Sequence, residues 1–153
     1  LWGLAQADVV KISEEEVGFL FGDLTPEEAA ERMAEEYQVK LVFLTLGEKG
    51  CYFSNRIAGG CVPALTGIHV KDTTGAGDIF GGAAVSRLLA CERPVEELSQ
   101  EELRQITAFA CTAAGLSTAR AGGISSIPEK EEVLERMAAE EETWIAGEGI
   151  RPM

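Results

Sequence analysis

The residues best equipped for chemistry stand together in Lys71-Asp-Thr-Thr-Gly-Ala-Gly-Asp-Ile-Phe-Gly-Gly82. Gly75 and Gly77 let the backbone turn tightly and leave N–H groups unobstructed at the start of an apolar helix expected to reach about Ala90. Orphan amides and the helix dipole together stabilise an anion at such a place. Asp78 falls in the first turn of that helix. Its carboxylate would repel a phosphate, so it suits a general base that takes a proton from an attacking hydroxyl while the amides hold phosphoryl oxygens. The plainer alternative is an Asp that merely favours the helix dipole, worth a few tenths to about 1 kcal/mol.

Other glycine-turn chemistries fit less well. Gly75-x-Gly77-x-x-x-Gly81 imitates a dinucleotide fingerprint, but the strand expected before it, Ile68-His-Val70, is short and polar-flanked. No strand ending in Asp or Glu follows roughly twenty residues on. No Gly-Lys-Ser/Thr occurs, so the Walker pattern is absent. The single histidine, His69, removes most triad and metal-site chemistry and reads as a loop residue. Cys51, Cys61, Cys91 and Cys111 contain no CxxC pair and read as small buried thiols in a reducing cytosol.

The elements that must position this turn alternate between strands and helices. Residues 8–12 read as a short buried strand, followed by a Ser13/Glu16 capping box and a short helix ending at Gly22. Thr25, Pro26 and Glu28 start a second helix running to about Tyr37. Lys40–Leu46 is apolar on both faces, as a central parallel strand should be. Gly47–Gly50 is a turn and Cys51–Phe53 a short returning strand, while residues 55–71 are weakly patterned. Ser99 and Glu102 cap a helix expected to be buried all round from Ile106 to Ala119, and an acidic helix follows from about Pro128 to Glu142. The alternation indicates one α/β layered domain without internal repeat or linker.

Composition narrows the partners. The 153 residues carry 13 Lys+Arg and 26 Asp+Glu, a net charge of −13, which argues against nucleic-acid binding through a basic stripe. The aliphatic run Leu41–Leu46 falls far below the roughly 18 residues of a membrane span. No charged-then-apolar leader is seen, and the absence of an initial Met suggests a piece of something longer.

The string Asp72-Thr-Thr-Gly-Ala-Gly-Asp78 resembles, over seven consecutive residues, the C-terminal signature of the ribokinase (PfkB-type) carbohydrate kinase family. Lys11-Ile-Ser-Glu-Glu-Glu16 resembles the family's Asn-x-x-Glu segment, with Ser13 in place of Asn. Thr45-Leu-Gly-Glu-Lys-Gly50 resembles its nucleotide loop, and Phe109–Gly115 on to Ile127-Pro128 its closing helix and loop. The resemblance spans nearly the whole chain. It implies a ribokinase-like layered α/β sandwich with a mostly parallel central sheet, of which residues 1–153 form the C-terminal, nucleotide-binding part. The N-terminal sugar-binding and lid half would be absent.

The resemblance also implies roles. Asp78 would be the base that deprotonates the sugar hydroxyl, with Gly75, Ala76 and Gly77 forming the anion hole. Glu16 would organise Mg²⁺ through water, although Ser13 and Glu16 also form a capping box by themselves. Thr45, Gly47 and Gly50 would border the nucleotide phosphates and ribose, and Cys111 and Gly115 the adenine, with apolar packing an equal alternative for Cys111. A monovalent cation, K⁺ in many relatives, would be held by Asp72 and Thr74 from one loop. Ser117, Arg120, Gly122 and Ser126 would serve it from another, mainly through carbonyl oxygens. The implied function is ATP- and Mg²⁺-dependent phosphorylation of a sugar, with fructose first and ribose or 2-keto-3-deoxygluconate as rivals. The setting is cytoplasmic, with neither nucleic acid nor membrane as partner, and the full-length parent is a candidate homodimer. Two alternatives stay open: an inert nucleotide-binding fragment and a dinucleotide-binding oxidoreductase.

Overall fold

The computed structural model describes residues 1–146, with side chains through residue 140; the end of the expected 1–153 domain lies outside the described residues. Four strands and five helices follow in the order β1 (Val9–Ser13), α1 (Glu14–Phe21), α2 (Pro26–Tyr37), β2 (Leu41–Thr45), β3 (Cys51–Ser54), β4 (Gly59–Val62), α3 (Ala76–Cys91), α4 (Gln100–Thr118) and α5 (Lys130–Ala146).

Three of these helices begin in the way their sequences dictate. Ser13 Oγ accepts from the Glu16 amide at 3.2 Å while the Glu16 carboxylate accepts from the Ser13 amide at 2.8 Å. Thr25 with Glu28, and Ser99 with Glu102, repeat the same reciprocal pair. Each box satisfies two amides that a helix start otherwise leaves without partners. Gly22, at φ 81°, ends α1 where an L side chain would be strained.

The sheet order is β1-β2-β3-β4. β1 and β2 pair in parallel, from Val9 opposite Leu41 to Ser13 opposite Thr45, while β2–β3 and β3–β4 are antiparallel. The α/β class stands, but within these residues the sheet is mixed rather than mostly parallel. A parallel return needs a crossover of a dozen or more residues. The Gly47–Lys49 3-10 turn offers three, so the chain runs straight back. Residues 68–70 form no strand.

Period-2 alternation along β2 feeds two cores. Leu41 and Phe43 join Phe53, Phe80, Leu103 and Ala110 beneath α3 and α4. Val42 and Leu44 join Val10, Ile12, Met33 and Tyr52 beneath α1 and α2. Helices therefore cover both faces of the sheet. Phe43 meets Phe80 edge-on, with ring centroids 5.8 Å apart at 71°. The expected burial of α4 is met: no residue from Ile106 to Arg120 is exposed, because β3, β4, α3 and α5 all pack against this helix. Among the described residues no helix is long and apolar enough to cross a membrane.

Candidate active site

In open α/β sheets ligands collect beyond the carboxyl ends of the parallel strands, and here that place is marked by Ser13 and Thr45. Thr45 Oγ1 donates to the Ile12 carbonyl at 3.4 Å, tying the two strand ends together. After Thr45 the turn contains Gly47 at φ 58° and Gly50 at φ 105°. A Cβ on Gly50 would stand 2.0 Å from the Val62 carbonyl oxygen, so backbone approach alone demands glycine there. Past Ser13, the Glu16 carboxylate is held below the usual range, first by the Ser13 amide and in smaller part by the Lys11 charge.

α3 enters this region with Gly75 at φ 79° and no side-chain cap. The Ala76 amide donates to the Thr73 carbonyl at 3.2 Å and the Ile79 amide to Gly75 at 2.9 Å. The Gly77 and Asp78 amides between them have no acceptor among the described residues. Asp78 is exposed, and its carboxylate also has no partner there. Asp78 and Gly75 border a cavity of about 460 Å³ that continues along α3 to Arg87, walled by Phe109, Ile124 and Val133.

Asp72 joins two loops. Its Oδ1 accepts from the Thr74 amide at 2.9 Å and its Oδ2 from the Gly122 amide at 3.0 Å. The Thr74 hydroxyl, then the Gly122 and Thr74 amides, hold its carboxyl down to about 2. A Cβ on Gly75 would meet Gly123 Cα at 3.4 Å, so the same loops touch again. The side chains of the expected cation ring turn elsewhere. Ser117 and Ser126 are buried and donate to the Ala114 and Gly123 carbonyls, each at 2.7 Å, and Arg120 pairs with Glu132. The backbone is what stays unpaired: the carbonyls of Thr74, Arg120 and Gly122 accept no hydrogen bond among the described residues.

Two expected nucleotide contacts land in packing. Cys111 is buried in the α3/α4 core, where desolvation pushes its thiol up to about 12. Gly115 lies under Leu65, whose Cβ would stand 2.7 Å from an added Cβ. One residue at the site was overlooked in the sequence. Lys11 Nζ stands 3.0 Å from the position of a Cβ on Gly77. The signal was a single charge inside the otherwise uncharged strand Val9–Ser13.

Among the described residues, no group of three or more His, Cys, Asp or Glu side chains forms a metal cluster. The donors nevertheless fit the two ions that the resemblance implies. Glu16 has one oxygen engaged at the capping box, and its other is left for a metal-bound water, as Mg²⁺ prefers. A carboxylate beside unpaired carbonyls from two loops suits a large, weakly hydrated cation.

A sheet with helices on both faces and a glycine-led helix start beyond its parallel strand ends is an α/β arrangement, and comparison with solved structures makes it ribokinase-like. Solved structures share it: fructokinase from Xylella fastidiosa with bound ATP matches with TM-score 0.80 and 27% identity over 91% of this chain and 45% of that one. Ribokinase from Thermotoga maritima matches with TM-score 0.70 and 34% identity over 88% of this chain and 43% of that one. In sequence, fructokinase-1 of Oryza sativa subsp. japonica is 36% identical over 132 residues, covering 86% of this chain and 40% of the relative. Residues 2–130 match the pfkB family carbohydrate kinase family, and the chain belongs to that family. It spans about two fifths of the length of the curated relatives it matches. Family membership sets the oxidoreductase alternative aside.

Proposed function

We propose that the chain is the nucleotide-binding part of an ATP-dependent sugar kinase, with fructose as the first candidate acceptor. The observation that carries this reading is the start of α3, where the acceptor-free amides of Gly77 and Asp78 adjoin an unpartnered, exposed Asp78 carboxylate. The amides would hold the γ-phosphoryl oxygens, and Asp78 would take the proton of the attacking hydroxyl. Phosphoryl transfer needs little more from a protein than such positioning and charge stabilisation. Mg²⁺, when bound, would neutralise phosphate charge, with Glu16 orienting its water. Thr45, Gly47 and Gly50 would border the phosphates and ribose. The Asp72–Gly122 link would hold the loop carbonyls of Thr74, Arg120 and Gly122 in place for a monovalent cation beside the anion hole. A cytoplasmic setting agrees with the four free cysteines of the described residues.

Fructose leads because the curated relatives include fructokinases of tomato, rice and maize, and because fructokinases are among the similar solved structures. Sugar-dependent ADP release, measured with fructose, ribose and 2-keto-3-deoxygluconate, tests the reading. Release fastest with fructose is expected. Preference for another sugar would move the substrate while keeping the mechanism. A second reading, a nucleotide-binding fragment without turnover, is favoured by the fraction of its relatives that the chain spans. ATP binding without sugar-dependent release would select it.

A further inference from the structure

Lys11 brings a positive charge to the start of α3. On β1, Val10 and Ile12 are buried toward α1 and α2, so alternation turns Lys11 to the opposite face, the side of α3 and α4. Its stem reaches the first turn of α3: a Cβ on Gly77 would stand 3.0 Å from Nζ and 3.8 Å from Cε. The N-terminal turn of a helix is the positive end of its dipole, where a cation is repelled. Lys11 makes no salt bridge among the described residues, although its charge is felt by the Glu16 carboxylate. An ammonium and two acceptor-free amides thus converge at the positive end of a helix, and neither the Asp78 nor the Glu16 carboxylate is bonded to them.

We infer that Lys11 is a catalytic residue whose ammonium binds the phosphoryl group in transit from nucleotide to acceptor; the inference rests on the kinase reading above. In the transfer, an oxygen lone pair of the acceptor forms the new O–P bond, and its proton passes to the Asp78 carboxylate. The bond from the γ-phosphorus to the bridging oxygen breaks, and its electron pair leaves on ADP. Lys11 takes no part in the proton transfer. Its three N–H donors, on a flexible stem, follow the phosphoryl oxygens as they move, which a rigid guanidinium fork does less well. A Cβ at position 77 would make the ammonium give way by a few tenths of an ångström.

Calorimetric titration of the full chain with ATP, with ADP, and with ADP plus aluminium fluoride, all in Mg²⁺, tests this. Lys11→Met should weaken ATP about tenfold or more, and the aluminium fluoride complex further, because a charge-assisted contact to the transferring group is lost. ADP affinity and thermal midpoint should be unchanged, and Lys11→Arg should recover part of the loss. Gly77→Ala, which keeps the charge but shifts it, should reproduce the pattern more weakly. Equal weakening of ADP and ATP would make Lys11 a structural or β-phosphate residue and reject the proposal, as would unaltered ATP and aluminium fluoride binding. If the wild-type chain does not bind ATP at all, the kinase reading fails and takes this inference with it.

Discussion

The molecule contains two polar centres of opposite character. At the β3–β4 turn, Asn55 is 1% exposed, and its side chain is fully engaged. Its amide nitrogen donates to the Val95 and Leu98 carbonyls, each at 2.9 Å, and its oxygen accepts from the Ile57 and Ala58 amides at 3.2 and 2.9 Å. Near the carboxyl ends of β1 and β2, Lys11 of β1, Asp78 and the amides of Gly77 and Asp78 at the start of α3 have no such hydrogen-bond partners among the described residues. The first centre closes on itself and fixes the loop between α3 and α4 to the sheet edge. The second is left open to something that is not the protein. Satisfaction, rather than polarity, separates the structural centre from the candidate chemical one.

The contrast breaks most visibly if the open centre proves structural. Asp78→Asn cannot take a proton, so sugar-dependent ADP release should fall by about 10²–10⁴-fold. ATP affinity should be no weaker and the thermal midpoint unmoved, because no intramolecular bond is lost. Release within a few-fold of the parent rate would remove Asp78 as the base. The closed centre should answer in the opposite way. Asn55→Ala leaves the buried Leu98 carbonyl without its donor and the Ile57 and Ala58 amides without their acceptor, at a cost of about 2–3 kcal/mol. That lowers the thermal midpoint by roughly 4–12 °C. The ATP affinity of the folded protein should not change. A midpoint within a degree of the parent would show that water replaces the side chain and that the centre is not closed.

These two centres also divide what the sequence makes legible. The signature 72–78 and the three capping boxes are local strings, so they could be read before any fold was known. β2 and the return to β3 could be read as well, the first from its uninterrupted apolar run and the second from the glycines that bound the turn. β4 escaped: Gly59-Gly-Cys-Val62 has no β-branched alternation, and pairing with β3 makes it a strand. The expectation of a mostly parallel sheet came with the resemblance, and within the described residues the hairpins at the β2–β3 and β3–β4 turns make the sheet mixed. Asn55 and Lys11 have no local signature at all. Each gains its meaning from residues distant in sequence, Val95 and Leu98 for one and Gly77 for the other. The expected adenine contacts, Cys111 and Gly115, were placed by resemblance; Cys111 lies in the core, while Gly115 is half-buried against Leu65 and Ile68.

Acid probes the link between the two loops near the open centre. Asp72 has its folded pKa near 2, below an ordinary value of 3.8. A depressed carboxyl contributes stability that is complete above the ordinary value and is lost as pH falls through the folded one. The tie from Asp72 to Thr74 and Gly122 should therefore hold down to about pH 4 and dissolve toward pH 2. The amide resonance of Gly122, followed by NMR, should titrate in that window, and Asp72→Ala should abolish the titration. A resonance already titrating near pH 4 would mean that the two amides do not hold the carboxylate.

The smallest effect gives the finest discrimination, because it compares one motif in two settings. Ser13/Glu16 and Ser99/Glu102 are the same capping box, with amide-to-carboxylate distances of 2.8 and 2.9 Å. Ser→Ala at either should cost about 0.5–2 kcal/mol, read from chemical denaturation, since each loses one acceptor for a helix amide. Only the first box stands beside Lys11 and the parallel strand ends. The Ser13 amide that holds the Glu16 carboxylate survives Ser13→Ala, so the carboxylates themselves are the finer probe: Glu16→Gln and Glu102→Gln each keep an oxygen for the box amide, and only the first removes charge from the place where a metal-bound water would sit. The Mg²⁺ concentration needed for half-maximal ATP binding should rise several-fold in Glu16→Gln and stay constant in Glu102→Gln. Equal Mg²⁺ dependence in both would reduce Glu16 to a capping residue, leaving the open centre to Lys11, Asp78 and the amides of α3.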